Sequence, residues 1–199
     1  MENTIEQLAQ LFLKFPGIGN RQAKRFAHFI ASQPEGYVYT LADTLTKARA
    51  NAHTCTLCKR IFEGNPGICQ ICTDIKKDPS CIVVVEKSPD IDAFRKTDYN
   101  GIFFVLGGLI PIVQKDILQG TNITLLTNRI KTDTKVHEVI LAFPLTPNGD
   151  HTDSVVREII AKLELPHIKI SSLGRGLASG TELEYADPYS LNASLKKRE

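Results

Sequence analysis

Two Cys-x2-Cys pairs, Cys55-Thr-Leu-Cys58 and Cys69-Gln-Ile-Cys72, stand ten residues apart in this chain. One such turn sets two thiolates on an edge of a tetrahedron, and two turns close the coordination shell of a Zn²⁺ ion. Pro66-Gly67, just ahead of the second pair, supplies the chain reversal that closure needs. A redox dithiol requires a single pair in a βαβ setting, which this segment lacks. The spacing predicts one structural zinc per chain on Cys55, Cys58, Cys69 and Cys72, with no open position for catalysis. The metal would fold about 25 residues that are too short and polar to build a core. His53 reads as a surface neighbour of this site, and the fifth cysteine, Cys81, as an inert thiol opening an apolar strand.

The 199 residues divide around that site. Their hydrophobic fraction, 42%, is enough for buried cores, whereas a net charge of +2 leaves any nucleic-acid contact to a local patch. No stretch approaches the roughly 18 apolar residues that span a bilayer, and the opening MENTIEQLAQ has no apolar run of a secretory leader. The expectation is a cytoplasmic protein without membrane contact, in which paired cysteines mean metal rather than disulfide. Composition predicts a helical hairpin module over 1–53, the zinc finger over 54–73, an α/β domain over 79–174 and a C-terminal tail over 175–199.

In the first module Ile5, Leu8, Phe12 and Phe15 recur at helical spacing and predict a helix over 4–15. Pro16-Gly17-Ile18-Gly19 breaks it, and Asn20 is the expected N-cap of a second helix. Ala23, Phe26, Ala27 and Ile30 share one face of that helix, while Arg21, Lys24, Arg25 and His28 share the opposite one. Glycines at 17 and 19 let backbone N–H groups approach a phosphate at a helix N-terminus, and the cations add charged donors. Gly17, Gly19, Arg21, Lys24 and Arg25 are therefore the candidate DNA contacts, by a string that resembles a helix-hairpin-helix motif. Such contacts touch phosphates and carry little sequence preference. The alternative is a structural hairpin whose solvated face is basic. A third helix is expected over 41–52, started by Thr40 and Asp43 and packed through Leu41, Leu45, Ala48 and Ala52.

Four apolar runs, Cys81–Val85, Ile102–Leu106, Val139–Phe143 and Ile168–Leu173, read as strands of a parallel sheet covered on both faces. Glu86 directly follows the first, and Asp150 and Asp153 are expected in the loop beyond the third. Carboxylates gathered at the carboxyl ends of such strands can hold Mg²⁺ for phosphoryl chemistry, or simply cap neighbouring helices. Neutral Asn148 and basic Lys87 weaken the metal reading, and no Walker A string provides a phosphate cradle. The segment Gly174–Gly180 reads as a flexible loop leading into an acidic docking tail, Glu182-Leu-Glu-Tyr-Ala-Asp187.

In order, FPGIGNRQAKRFA, the cysteine quartet, VVVEKSPD, FFVLGGLIP, EVILAFPLTPNGDHT and GRGLASGTELEYAD run almost the length of the chain. This succession resembles the bacterial recombination mediator family RecR. The resemblance implies a Toprim domain over about residues 80–173 and a ring-shaped homotetramer. It implies DNA contacts at Arg21 and Arg25, and partnership with RecO, and in some settings RecF, in loading RecA onto gapped or single-stranded DNA. The Toprim glutamate would be Glu86, with Asn148-Gly149-Asp150 in place of a usual Glu-Gly-Glu. Lys87-Ser88 in place of Glu-Pro, a shorter loop after Leu109 and Ala178 in place of Pro are further departures, bearing on the RecO contacts near the acidic edge. The expected role is a DNA-binding adaptor with no catalytic residue. The alternatives are a Mg²⁺-dependent Toprim phosphoryl-transfer enzyme using Glu86 and Asp150, and a zinc module that only holds proteins together.

Overall fold

The computed structural model describes residues 3–113, 120–174, 180, 182–186 and 188–196. It forms two compact units, Met1–Ala52 and His53–Glu199.

The first unit contains α1 (Thr4–Phe12), α2 (Asn20–Ala31) and α3 (Glu35–Asn51). The Asn3 side chain caps α1 by accepting from the Ile5 N–H. Buried alanines at 9, 23 and 27 let α1 and α2 approach closely, and the Phe12 and Phe26 rings meet edge-on at 5.7 Å. Helix α1 ends three residues before the expected Phe15, which is half exposed in the following turns. Pro16 is the cause, because the residue before a proline is driven out of the helical region. Asn20 is the first helical residue of α2 rather than its cap; Gly19 holds the cap position and no side chain caps the helix.

Helix α3 starts six residues earlier than the expected Leu41, behind Pro34, whose backbone is already extended. The Thr40 hydroxyl consequently donates back to the Gly36 carbonyl at 2.8 Å instead of capping. No residue of α3 is fully buried and Leu45 is 59% exposed, so its expected apolar stripe makes no core in the single chain.

Strand β1 (Ala52–Thr54), in the second unit from His53 on, pairs with β2 (Ile61–Glu63), and a short α4 (Gln70–Thr73) follows. The main sheet then forms from β3 (Asp78–Val85), β4 (Gly101–Val105), β5 (Glu138–Ala142) and β6 (Lys169–Ser172), all parallel, in the order β4-β3-β5-β6. Helices α5 (Asp90–Phe94), α6 (Ile123–Thr132) and α7 (Pro147–Ala161) lie between the strands in sequence. A turn of 3-10 helix (Leu183–Tyr185) and α8 (Pro188–Lys196) end the chain.

The two faces of β3 explain its unbroken apolar run. Ile82 and Val84 pack with Phe104, Leu126, Val139, Leu141 and Val156 in one core. Val83 and Val85 pack with Ile91, Phe103 and Val105 in the other. Each fully buried side chain of this size contributes about 1.5–3 kcal/mol, so the sheet is the main source of the unit's stability. Among the described residues, no helix is long and apolar enough to cross a membrane.

Candidate functional site

The cysteine quartet is built on two knuckles. In the first, the Lys59 N–H donates to the Cys55 carbonyl at 3.1 Å and the Cys55 N–H to the Arg60 carbonyl at 2.8 Å. Lys59 takes the left-handed conformation, φ 62°, to close this turn. In the second, the Cys72 N–H donates to the Cys69 carbonyl at 2.9 Å, and Cys69 opens α4. The Thr56 N–H reaches across to the Gly67 carbonyl, so the Pro66-Gly67 reversal faces the two knuckles toward each other.

Four Sγ atoms, from Cys55, Cys58, Cys69 and Cys72, thereby lie within 4.8 Å of one another, the first three residues fully buried. Among the described residues this is the one group of three or more potential ligands close enough to hold a metal ion. The Cys69 N–H also donates to Cys55 Sγ at 3.3 Å, tying the two knuckles together. Neighbouring sulfurs shift the protonation of the other three. Cys69 is driven far below the usual thiol range by hydrogen bonds from Cys58 and Cys72. Cys58 is pushed up to about 12, first by its hydrogen bond to Cys69. Cys72 rises further, first through its hydrogen bond with Cys58 and then that with Cys69. Neighbouring sulfurs and burial thus disfavour the thiolates of Cys58 and Cys72, a penalty that a bound dication would remove. His53 is outside the group and stacks at an angle on Phe62.

The first knuckle is fastened to the parallel sheet. Its Cys58 carbonyl accepts from Val105, its Leu57 carbonyl accepts from Arg129 Nη1 at 3.0 Å, and the Ile61 N–H donates to Ser88 Oγ at 3.0 Å. Ile71 of α4 touches both the cysteine cluster and the core beneath β3 and β4. Arg129 had no signal in the sequence, and Ser88 stood out there only as a departure from Glu-Pro, because each acts on a carbonyl or amide distant along the chain.

In the helical unit Gly17 adopts φ 78°, the left-handed conformation that the turn into α2 requires. Arg21, Lys24, Arg25 and His28 are all exposed and line one open depression on α2. Lys24 is shared with Glu6 of α1 through a 3.4 Å ion pair, whereas Arg21 and Arg25 make no ion pair with described residues. The core face is as expected, with Ala23 and Ala27 fully buried and Phe26 and Ile30 half-buried.

The acidic residues stand at the carboxyl end of the sheet. Glu86 follows β3 and its carbonyl accepts from the Gly107 N–H. Asp150 and Asp153 lie within α7 rather than in a loop, because Thr146 caps the helix by accepting from the Gly149 N–H and Pro147 opens its first turn. Asp150 is thus placed where a helix N-terminus favours a carboxylate. Asp153 clamps α7 to β6, accepting from Ser172 Oγ at 2.6 Å and pairing with Arg157, which in turn donates to the Ile170 carbonyl. The three acids do not form a common group of metal ligands. Of the expected flexible loop, Gly174–Gly180, residues 175–179, Ala178 among them, lie outside the described residues.

Residues 80–173 match the family model of the Toprim domain. Over nearly the whole length the chain is similar to proteins named recombination protein RecR. It is 34% identical to that of Lactobacillus johnsonii over 195 residues, covering 98% of this chain and 96% of the relative. It is 33% identical to that of Levilactobacillus brevis with the same coverage. With that of Bifidobacterium adolescentis it shares 33% identity over 198 residues, 99% of this chain and 96% of the relative.

Proposed function

Because the chain belongs to the RecR family of recombination proteins, we propose that it is a DNA-binding mediator of recombination and repair that works by binding and assembly rather than by turnover. The observation that carries this reading is the exposed cationic face of α2, Arg21, Lys24, Arg25 and His28, set directly behind the Gly17-Ile18-Gly19 turn. Backbone N–H groups at that turn and the Arg21 and Arg25 guanidinium groups meet phosphate oxygens. The contacts ignore base identity and are weakened by salt through counterion release.

Cys55, Cys58, Cys69 and Cys72 hold one Zn²⁺, whose donor set is complete with four thiolates. The metal neutralises the sulfurs and supplies folding energy, and takes no part in chemistry on DNA. The Toprim unit, with Glu86 and Asp150 at its acidic edge, serves as a docking face. RecO, and in some settings RecF, engage it while RecA is loaded on gapped or single-stranded DNA. Homotetramer assembly through the N-terminal unit and the C-terminal tail completes a ring. Asp153 is committed to Ser172 and Arg157, which supports a binding role for this edge over metal catalysis.

The test is charge reversal at both Arg21→Glu and Arg25→Glu in zinc-loaded protein. DNA affinity should fall by about tenfold or more at low salt, and the slope of log affinity against log salt should flatten by roughly two phosphates. Unchanged affinity and slope would remove the hairpin from the DNA site. Gapped plasmid recovered intact after protein denaturation separates binding from cleavage.

A further inference from the structure

Beyond the cations, the depression on α2 contains one aromatic ring, that of Phe29. At 100° per residue, Phe29 stands about 40° around the helix from Arg25 and about 6 Å further along it. The residue is 52% exposed, an uncommon state for a phenylalanine in a polar, charged surface. It is also held in place. Tyr37 of α3 meets it at nearly a right angle, with centroids 6.4 Å apart and planes at 85°. The Phe29 carbonyl accepts from Ser32 Oγ at 2.8 Å and from Gln33 Nε2 at 3.3 Å, which fixes the end of the helix beneath the ring.

We propose that Phe29 is a stacking platform for an unpaired nucleobase, so that the cationic face of α2 holds single-stranded DNA leaving the Gly17–Gly19 turn. This rests on the reading that the face binds DNA, and names the form of DNA it prefers. The occupant follows from the neighbours. Arg21, Lys24 and Arg25 line the depression with His28 beside them, no carboxylate is among the lining residues, and Glu6 reaches only Lys24, so the ligand is an anion. A ring one helical turn beyond Arg25 selects an anion that carries a flat, apolar face about 6 Å from its charge. A nucleotide has that construction. In a duplex the base faces are already stacked on each other, so only an unpaired base has one to give.

The chain has no tryptophan, so Phe29→Trp provides a single indole reporter at the site. Full-length, zinc-loaded Phe29→Trp, Phe29→Ala and wild type are titrated with oligo(dT) and with a blunt duplex of equal phosphate count. In the Phe29→Trp variant the indole fluorescence should be quenched by oligo(dT) and little by duplex. Phe29→Ala should lose about tenfold in oligo(dT) affinity with duplex affinity and both salt slopes unchanged. Equal oligo(dT) affinity in Phe29→Ala and wild type overturns the proposal, as does an indole signal that saturating oligo(dT) leaves unchanged. A change in sedimentation of Phe29→Ala without DNA also overturns it, since the ring then belongs to a contact between copies. Wild-type protein that binds neither DNA, or is unaffected by Arg21→Glu with Arg25→Glu, marks failure of the DNA reading itself.

Discussion

The Val105 amide donates a 2.8 Å hydrogen bond to the Cys58 carbonyl, so the edge strand β4 is met by the first cysteine knuckle instead of ending in solvent. An open edge of a parallel sheet presents unpaired amides to any passing strand. Here a carbonyl held in place by the cysteine turn occupies that position. The cysteine quartet and the Toprim sheet are consequently parts of one structural unit.

Metal removal should therefore be felt in the sheet. Chelation, or Cys58→Ser, is expected to release the Val105 amide to fast hydrogen exchange and to lower the melting temperature by several degrees, since the binding energy of a metal held by four thiolates is folding energy. Exchange resolved by residue, with and without chelator, is the measurement. A Val105 amide that stays protected while residues 55–72 lose protection would show that the knuckle and the sheet are independent.

Arg129 reaches the same knuckle from α6, donating to the Leu57 carbonyl at 3.0 Å and more weakly to the Phe103 carbonyl at 3.4 Å. Arg129→Met keeps most of the apolar stem and removes both hydrogen bonds made by Nη1. The expected cost is about 1–2 kcal/mol, read from urea unfolding, with zinc content unchanged.

Gly149 is the centre of the Asn148-Gly149-Asp150 string, and its reason is space. A Cβ there would run into the Pro144 carbonyl and crowd Thr146 Oγ1, the atom that caps α7. Gly149→Ala should destabilise the unit by about 1–3 kcal/mol through this overlap and loss of the cap. Asn148→Asp, which only restores a charge at an exposed position, should leave the melting temperature within about 1–2 °C.

Glu138 sets an acid limit. A hydrogen bond from Ser171 Oγ at 2.7 Å, with Lys169 at 3.2 Å, holds its carboxyl below the usual glutamate range. A carboxyl whose folded value is depressed adds stability above its unfolded value, near about 4.3, and that stability is lost as pH falls through the folded value. Wild type should therefore melt above Glu138→Gln at neutral pH, and the two curves should converge below about pH 4. A constant gap across that range would exclude the ionised contact as the cause.

Local signals carried far in this chain. The spacing of the four cysteines, the 100° arc of Ala23, Phe26, Ala27 and Ile30, and the apolar runs of β3, β4 and β5 each express a short-range rule, and the structure follows them. The helix boundaries were less legible, because Pro16 and Pro34 act on neighbours in ways that side-chain periodicity does not register. Asp153 illustrates the larger limit. Its place in the sequence suited a metal ligand, yet Ser172, nineteen residues on, and Arg157 turn it into a clamp between α7 and β6. The Cys58–Val105 and Leu57–Arg129 contacts likewise join segments 47 and 72 residues apart. Periodicity encodes which residues share a face of one element. Which carbonyl meets which amide depends on how the elements pack, and no window along the chain contains that information.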